Sequence, residues 1–303
     1  MSKIILENEV NPAVILPSVK KRSKVRHFFK QLRKSKTGLA GFIIIIFLLV
    51  LGVAGSWIAP FDPLKASFGD KLLPPMTKDH ILGTDQLGRD ILSRIIAGTK
   101  ISLLIGVTTV FLSGLIGSII GIISGYFRGW IDVILMRIVD VQLSFPFILL
   151  VLVVNAVLGA GLKNIIISLV IGGWVIFARV VRSEVLALRE KEFILSCVAT
   201  GVPRWEIIVK HILPNLFTPI IVLSSLQVAS FIIAEASVSF LGFGVQPPQP
   251  AWGNMLNEGK DYIFNSWWLI TFPGLAIVIT TLGVNLFGDW LRDELDPEMK
   301  GDS

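Results

Sequence analysis

Residues 192–215, EFILSCVATGVPRWEIIVKHILPN, decide the fold of this chain. The segment is polar, has a central glycine and a terminal Leu-Pro, and lies between two long apolar stretches. Gly201 can adopt the positive φ needed to reverse one short helix into another. Pro214 can begin the following helix, because the first helical turn needs no amide donor. We therefore predict a helix–turn–helix loop between two membrane spans.

The composition is that of a polytopic membrane protein. Of the 303 residues, 53% are apolar and 17% are charged, and the mean hydropathy is +0.73. A soluble domain carries about 25% charged residues. The only cysteine, Cys197, excludes an intrachain disulfide and a cysteine metal cluster. His27, His80 and His211 lack the spacing of metal ligands, so no metal site is expected.

Six apolar stretches are long enough to cross a bilayer core, which takes about 20 helical residues. They are residues 38–59, 101–125, 131–158, 164–181, 214–244 and 267–290. We predict an all-α membrane protein with a basic tail (1–37), a first span (38–59) and a loop on the outer side (60–100). A five-helix core (101–290) follows, which contains the loop 190–213. A short tail (291–303) ends the predicted organisation.

The positive charge predicts the orientation. With a cytoplasmic N-terminus, 20 of the 28 Lys and Arg residues lie on the inner side, as the positive-inside rule requires. Both termini are therefore predicted to be cytoplasmic. A role as a signal that retains the tail on the cytoplasmic side explains the basic residues better than binding to lipid or nucleic acid does. No nucleic-acid partner is expected. Six tryptophans at span ends suggest an aromatic belt; they are Trp57, Trp130, Trp252, Trp267, Trp268 and Trp290.

Small residues in the second span predict close helix packing. Gly117, Gly121 and Gly125 follow Ser113 on one helix stripe, and such a stripe lets two backbones approach closely. We favour packing within the chain over contact with another subunit.

Polar residues in the third and fifth spans are candidates for a transport pathway, since ionisable groups in a membrane face protein or water. Asp140 is three residues from Arg137, so the two could form a structural pair instead. Pro146 should kink the third span, which suits a helix that lines a cavity. In the fifth span, Glu235 and Ser237 form a polar, narrow face. A hydrogen-bonded carboxyl that locks two helices is an equal alternative for Glu235.

The outer loop contains Asp85, Arg89 and Asp90 within HILGTDQLGRDILSRII, residues 80–96. No nucleophile constellation accompanies these residues. A self-pairing structural loop is therefore preferred to acid–base chemistry, and no catalytic residue is predicted.

Four segments together are similar to the oligopeptide/dipeptide/nickel branch of permease subunits of ATP-binding-cassette (ABC) importers, and to its shorter, C-type member. They are residues 80–96, DVILMRIVDVQLSFP (132–146), AEASVSFLGFGVQPPQPAWGNML (234–256) and the opening segment. The opening segment resembles the coupling loop that docks on the ATPase. Gly201, Leu213 and Pro214 match the family pattern, whereas Leu195, Ser196 and Cys197 replace its usual Glu-Ala-Ala. The resemblance assigns six residues to coupling: Glu192, Ala199, Gly201, Arg204, Leu213 and Pro214.

The resemblance implies a type I permease fold in a bacterial cell membrane, surrounded by lipid. It also implies a heterodimer with a paralogous permease, two cytoplasmic ATPase subunits and an extracytoplasmic peptide-binding protein. No G-x-x-x-x-G-K-[ST] run occurs in this chain, so ATP is expected on the partner chains, with no cofactor here. The implied cargo is an oligopeptide, with a dipeptide or nickel as alternatives. An ion-coupled secondary transporter using Asp140 or Glu235 is a rival from another class.

Overall fold

The computed structural model describes residues 24–295, so the predictions for residues 1–23 and 296–303 lie outside the described part. Within this range the chain is built from α-helices, with short 3₁₀ and π turns and no strand. The α-helices are α1 (Lys24–Lys34), α2 (Lys36–Ile58), α3 (Ile91–Phe127), α4 (Gly129–Leu143), α5 (Phe147–Leu158), α6 (Leu162–Arg189), α7 (Glu192–Ala199), α8 (Arg204–Ile207), α9 (Leu213–Phe240), α10 (Trp252–Gly259) and α11 (Trp268–Leu295).

Five helical stretches are long and apolar enough to cross a membrane: α2, α3, α6, α11 and the run Arg204–Phe240 that ends with α9. A sixth span is obtained when α4 and α5 are counted as one broken span, whose two halves differ in direction by 90°. The break falls at Ser144–Pro146, and Pro146 caps α5. Proline removes a backbone donor and disfavours helical backbone before it. The predicted all-α class is confirmed, and the expected kink is a complete break.

The bundle has two distinct ends. At the α7 end, α7 and α8 pack against the last turns of α3 and α6 and the start of α9. At the α10 end, α10 packs with the starts of α3 and α11 and with the loop before α3. Helices α3 and α6 run parallel between these ends, since Gly117, Gly121 and Gly125 contact successively later residues of α6, and they form the most extensive helix pair.

The glycine stripe of α3 lies directly on α6. A Cβ atom on Gly117 would lie 2.3 Å from the carbonyl oxygen of Trp174, and one on Gly121 would lie 2.7 Å from that of Ala178. No side chain fits between these backbones. The predicted packing within the chain is confirmed.

The second span begins earlier than predicted. Helix α3 starts at Ile91, so residues 91–100 are helical and do not belong to the outer loop. The Asp90 carboxylate caps this start by accepting a hydrogen bond from the Ser93 amide at 2.8 Å, which satisfies an otherwise free helix N–H. Arg94 interrupts the apolar pattern there, and hydropathy alone placed the boundary ten residues too late.

The aromatic-belt prediction is wrong for half of the tryptophans. Trp57, Trp130 and Trp267 are more than half exposed, whereas Trp252, Trp268 and Trp290 are buried. The indole N–H of Trp252 donates to the carbonyl of Ile95 at 3.1 Å. The buried tryptophans therefore pack between helices instead of facing lipid headgroups.

Candidate functional site

The segment between α6 and α9 packs on the helix bundle through buried apolar side chains. Ile194 of α7, Ile207 of α8 and Ile212 of the π turn Ile208–Ile212 are at most 1% exposed. They pack against Val185 and neighbouring residues of α6 and against Tyr126 of α3. A displacement of α7 and α8 would therefore be transmitted to at least two long helices, because packed side chains move together.

The turn between α7 and α8 has the predicted geometry. Gly201 has a φ of +76°, and its amide donates to the carbonyl of Val198 at 3.1 Å. A Cβ atom on Gly201 would meet nothing within 4 Å. Glycine is needed here for its backbone conformation and not for space.

The exposed side of this segment, away from the bundle, carries large apolar side chains. Phe193, Leu195, Val198, Trp205 and Val209 are 42–65% exposed. The first three lie on α7, which is far too short to span a membrane, and Trp205 and Val209 lie at the start of the run Arg204–Phe240. Several large exposed apolar side chains on one short connecting segment are typical of a binding surface for another protein. We call these five side chains the coupling face.

The predicted coupling residues surround this face. Glu192 opens α7, and Glu192, Ala199 and Arg204 are exposed. Leu213 is half-buried at the start of α9 and Pro214 follows it in the first helical turn, as the sequence predicted.

Two features of this segment were not foreseen. The chain forms a π turn before α9, and the Cys197 thiol lies 3.8 Å from Nε2 of His211, which connects α7 to that turn. Cys197 is one of the three residues that replace the usual Glu-Ala-Ala, but the sequence gives no sign that it contacts His211.

A groove of about 720 Å³ opens on another face of the bundle, between α5, α9, α10 and α11. Its lining consists of Ile148, Ile233, Ala236, Ser237, Phe240, Leu241, Leu256, Lys260, Ile263, Ile270 and Ile277. Ser237, one of the predicted pathway residues, is therefore in the lining of a groove. Its hydroxyl donates to the carbonyl of Ile233 at 2.8 Å.

Glu235 lies elsewhere, in the packed core between α9 and α3. It is fully buried, and the Ser239 hydroxyl donates to its Oε1 at 2.6 Å. Ser239 is on the same helix, so this hydrogen bond does not join two helices. The burial of Glu235 away from the groove favours a packing role over that of a pathway residue.

Asp140 is on a polar strip along α4 and α6. It accepts a hydrogen bond from Arg179 of α6 at 2.6 Å, and both side chains are more than half exposed. The pairing with Arg137 that the spacing allowed is replaced by this contact between helices. Nearer the α7 end, Arg182 binds the Asp132 carboxylate through two hydrogen bonds of 2.6 Å. An exposed ion pair on a membrane-spanning segment faces water or protein and not lipid, and α4 with α6 therefore presents a pathway or interface surface.

A buried charge cluster of Asp85, Arg89, Arg94 and Glu258 connects the outer loop to α3 and α10. The Asp85 carboxylate accepts hydrogen bonds from Nε of Arg89 at 2.6 Å and from Arg94. Glu258 of α10 contacts both arginines, at 2.7 and 2.9 Å. The four side chains are 14% exposed or less. The predicted self-pairing loop is confirmed, but the sequence did not reveal Glu258, which lies 169 residues after Arg89.

A second, exposed charge contact shapes the same loop. The Lys78 ammonium donates to the Asp70 carboxylate at 2.8 Å, and the Ser67 hydroxyl donates to it at 2.7 Å. These hydrogen bonds hold the pKa of Asp70 below its ordinary value. The contact therefore persists through the neutral range and weakens only in acid.

The comparisons with known proteins agree with this architecture. Residues 117–301 match the family described as binding-protein-dependent transport system inner membrane component, and residues 23–75 match the N-terminal transmembrane domain of oligopeptide transport permease C. The chain is 40% identical to the dipeptide transport system permease protein DppC of Alkalihalophilus pseudofirmus, over 91% of this chain and 90% of that protein. It is 41% identical to the glutathione transport system permease protein GsiD of Escherichia coli, over 92% of each chain.

A solved structure supports the fold. The inward-facing MetNI methionine ABC transporter aligns with a TM-score of 0.56 and 19% identity, over 67% of this chain and 96% of the matched chain. The chain belongs to the permease family of binding-protein-dependent ABC importers. It is a multi-pass inner-membrane transport component and not an enzyme.

Proposed function

We propose that this chain forms one half of a pathway for small peptides across a bacterial cytoplasmic membrane, with a paralogous permease as the other half. Two cytoplasmic ATPase subunits bind ATP and dock on the coupling faces, and this chain holds no cofactor. An extracytoplasmic binding protein delivers the peptide at the α10 end. The relatives named for dipeptide and glutathione transport support a small-peptide cargo over a longer oligopeptide or nickel.

The coupling face carries this proposal. Five large apolar side chains project from a short polar segment. A partner that buried them would gain about 25 cal/mol of free energy for each Å² of apolar surface removed from water. The buried isoleucines beneath them hold the segment against α3 and α6. A partner that covers this face can therefore move the spans.

The proposed orientation follows the positive charge. A cytoplasmic α7 end and cytoplasmic termini are supported by the sequence, because in this orientation 20 of the 28 Lys and Arg residues are on the inner side. ATP binding then favours the conformation in which the pathway opens at the α10 end, because ATP has different affinities for the two states.

The pathway surface is assigned to the groove and to the strip of Asp140 and Arg179. Ser237 lines the groove, and the exposed ion pair lies on α4 and α6. The break before Pro146 lets α5 turn toward the groove, which Ile148 helps to line.

The test combines co-purification and uptake in a strain that lacks the native permease gene. Trp205→Ala and Val198→Asp should reduce ATPase co-purification and uptake of a labelled dipeptide at unchanged membrane abundance. Phe264→Ala is the matched control, because this side chain is 96% exposed but lies near α10. Nickel uptake independent of peptide would refute the cargo, and unchanged ATPase binding in both coupling-face variants would refute the docking surface.

A further inference from the structure

We propose that Lys260 recognises the cargo, and that its ammonium binds the carboxylate of a peptide that enters the groove at the α10 end. This inference rests on the proposed function, because it assigns a specificity residue to the same pathway.

Lys260 is the one charged residue in the groove lining within the described part of the chain. It follows α10 directly, in the 3₁₀ turn Lys260–Tyr262, and its side chain is exposed. The other lining residues are apolar apart from Ser237. A charge beside apolar walls attracts an opposite charge more strongly than it would in bulk water.

The donors of Lys260 are available to a ligand. No ion pair identified within residues 24–295 engages Lys260. The Ser237 hydroxyl already donates to the carbonyl of Ile233. Lys260 is therefore the lining side chain best placed to donate to a carboxylate.

The buried charge cluster fixes the helix that presents Lys260. Glu258, two residues earlier, is held by both arginines of the cluster at 2.7 and 2.9 Å. At Gly259 the chain lies so close to Leu269 of α11 that an added Cβ would be 2.9 Å from the leucine Cβ. One side of α10 is thus anchored while Leu256 and Lys260 face the groove. Such preorganisation lowers the entropy cost of binding.

Every free peptide has a C-terminal carboxylate, whereas a peptide amide lacks that charge. The experiment measures uptake of alanyl-phenylalanine and of its C-terminal amide by the complete importer in proteoliposomes, at subsaturating peptide. The binding protein is the same in every sample. The ratio of variant to wild-type uptake for each peptide therefore isolates the contribution of the permease.

Lys260→Gln should lower uptake of the free acid roughly tenfold, which corresponds to about 1.4 kcal/mol, and leave uptake of the amide unchanged. Lys260→Arg should retain most uptake of the acid. Lys163→Gln is the matched control, because Lys163 is an exposed lysine in the first turn of α6 and outside the groove.

Two results would overturn the assignment of Lys260: an unchanged ratio for the acid in Lys260→Gln, or equal losses for the acid and the amide. A wild-type importer that transports neither peptide would instead refute the proposed peptide cargo, and Lys260 as its carboxylate site with it.

Discussion

Gly201→Val tests the turn that shapes the coupling face. The native φ of +76° is unfavourable for residues with a Cβ, by roughly 1–2 kcal/mol, and β-branching adds to the strain. Because an added Cβ would meet nothing within 4 Å, the cost is confined to the backbone. This corresponds to a roughly 5- to 30-fold shift away from the native turn. Asparagine tolerates this conformation, so Gly201→Asn is the matched control.

Membrane abundance, ATPase co-purification and peptide uptake are measured together for both variants. Gly201→Val should be present at near-normal amount, because the spans are unchanged, but should lose uptake and release or uncouple the ATPase. Gly201→Asn should retain most uptake. Full uptake by the valine variant, or equal losses in both variants, would refute the argument that the backbone turn sets the coupling face.

Three further predictions concern packing and topology. Glu258→Leu leaves the two cluster arginines short of a carboxylate and should destabilise the detergent-purified chain by about 3–5 kcal/mol; an unchanged melting temperature would contradict this. Gly117→Leu should lower the melting temperature by overpacking α3 against α6, at a cost of about 1–3 kcal/mol or more, whereas Gly69→Leu should not, because a Cβ there meets nothing within 4 Å. Asp70→Cys in a Cys197→Ser background should react with an impermeant thiol reagent from outside the cell, and labelling only from the cytoplasm would reverse the orientation.

The parts of the fold that depend on local pattern could be predicted from the sequence. Long apolar runs identified the spans, because the bilayer sets their length. The glycine stripe predicted close packing of α3 on another part of the chain, since small side chains permit close approach, and the structure identifies α6 as the partner. Gly201 marked the turn because few other residues adopt its φ.

The parts that depend on distant partners could not be predicted. Nothing near Arg94 or Arg89 in the sequence points to Glu258, which approaches only when α10 folds back on α3. Local spacing suggested Arg137 for Asp140, but helix packing brings Arg179 to it. Hydropathy measures the cost of burial in lipid and does not distinguish a lipid-facing tryptophan from one that packs inside the bundle.

Crosslinking from the coupling face tests the central claim most directly. In a Cys197→Ser background, a short thiol-linked photocrosslinker is attached at Val198→Cys, whose native side chain is 54% exposed, in membranes that contain the complete importer. A second sample carries it at Phe264→Cys near α10. The proposal predicts an adduct with the ATPase subunit from position 198 and none from position 264. Absence of the ATPase adduct at position 198, or equal adducts at both positions, would contradict it.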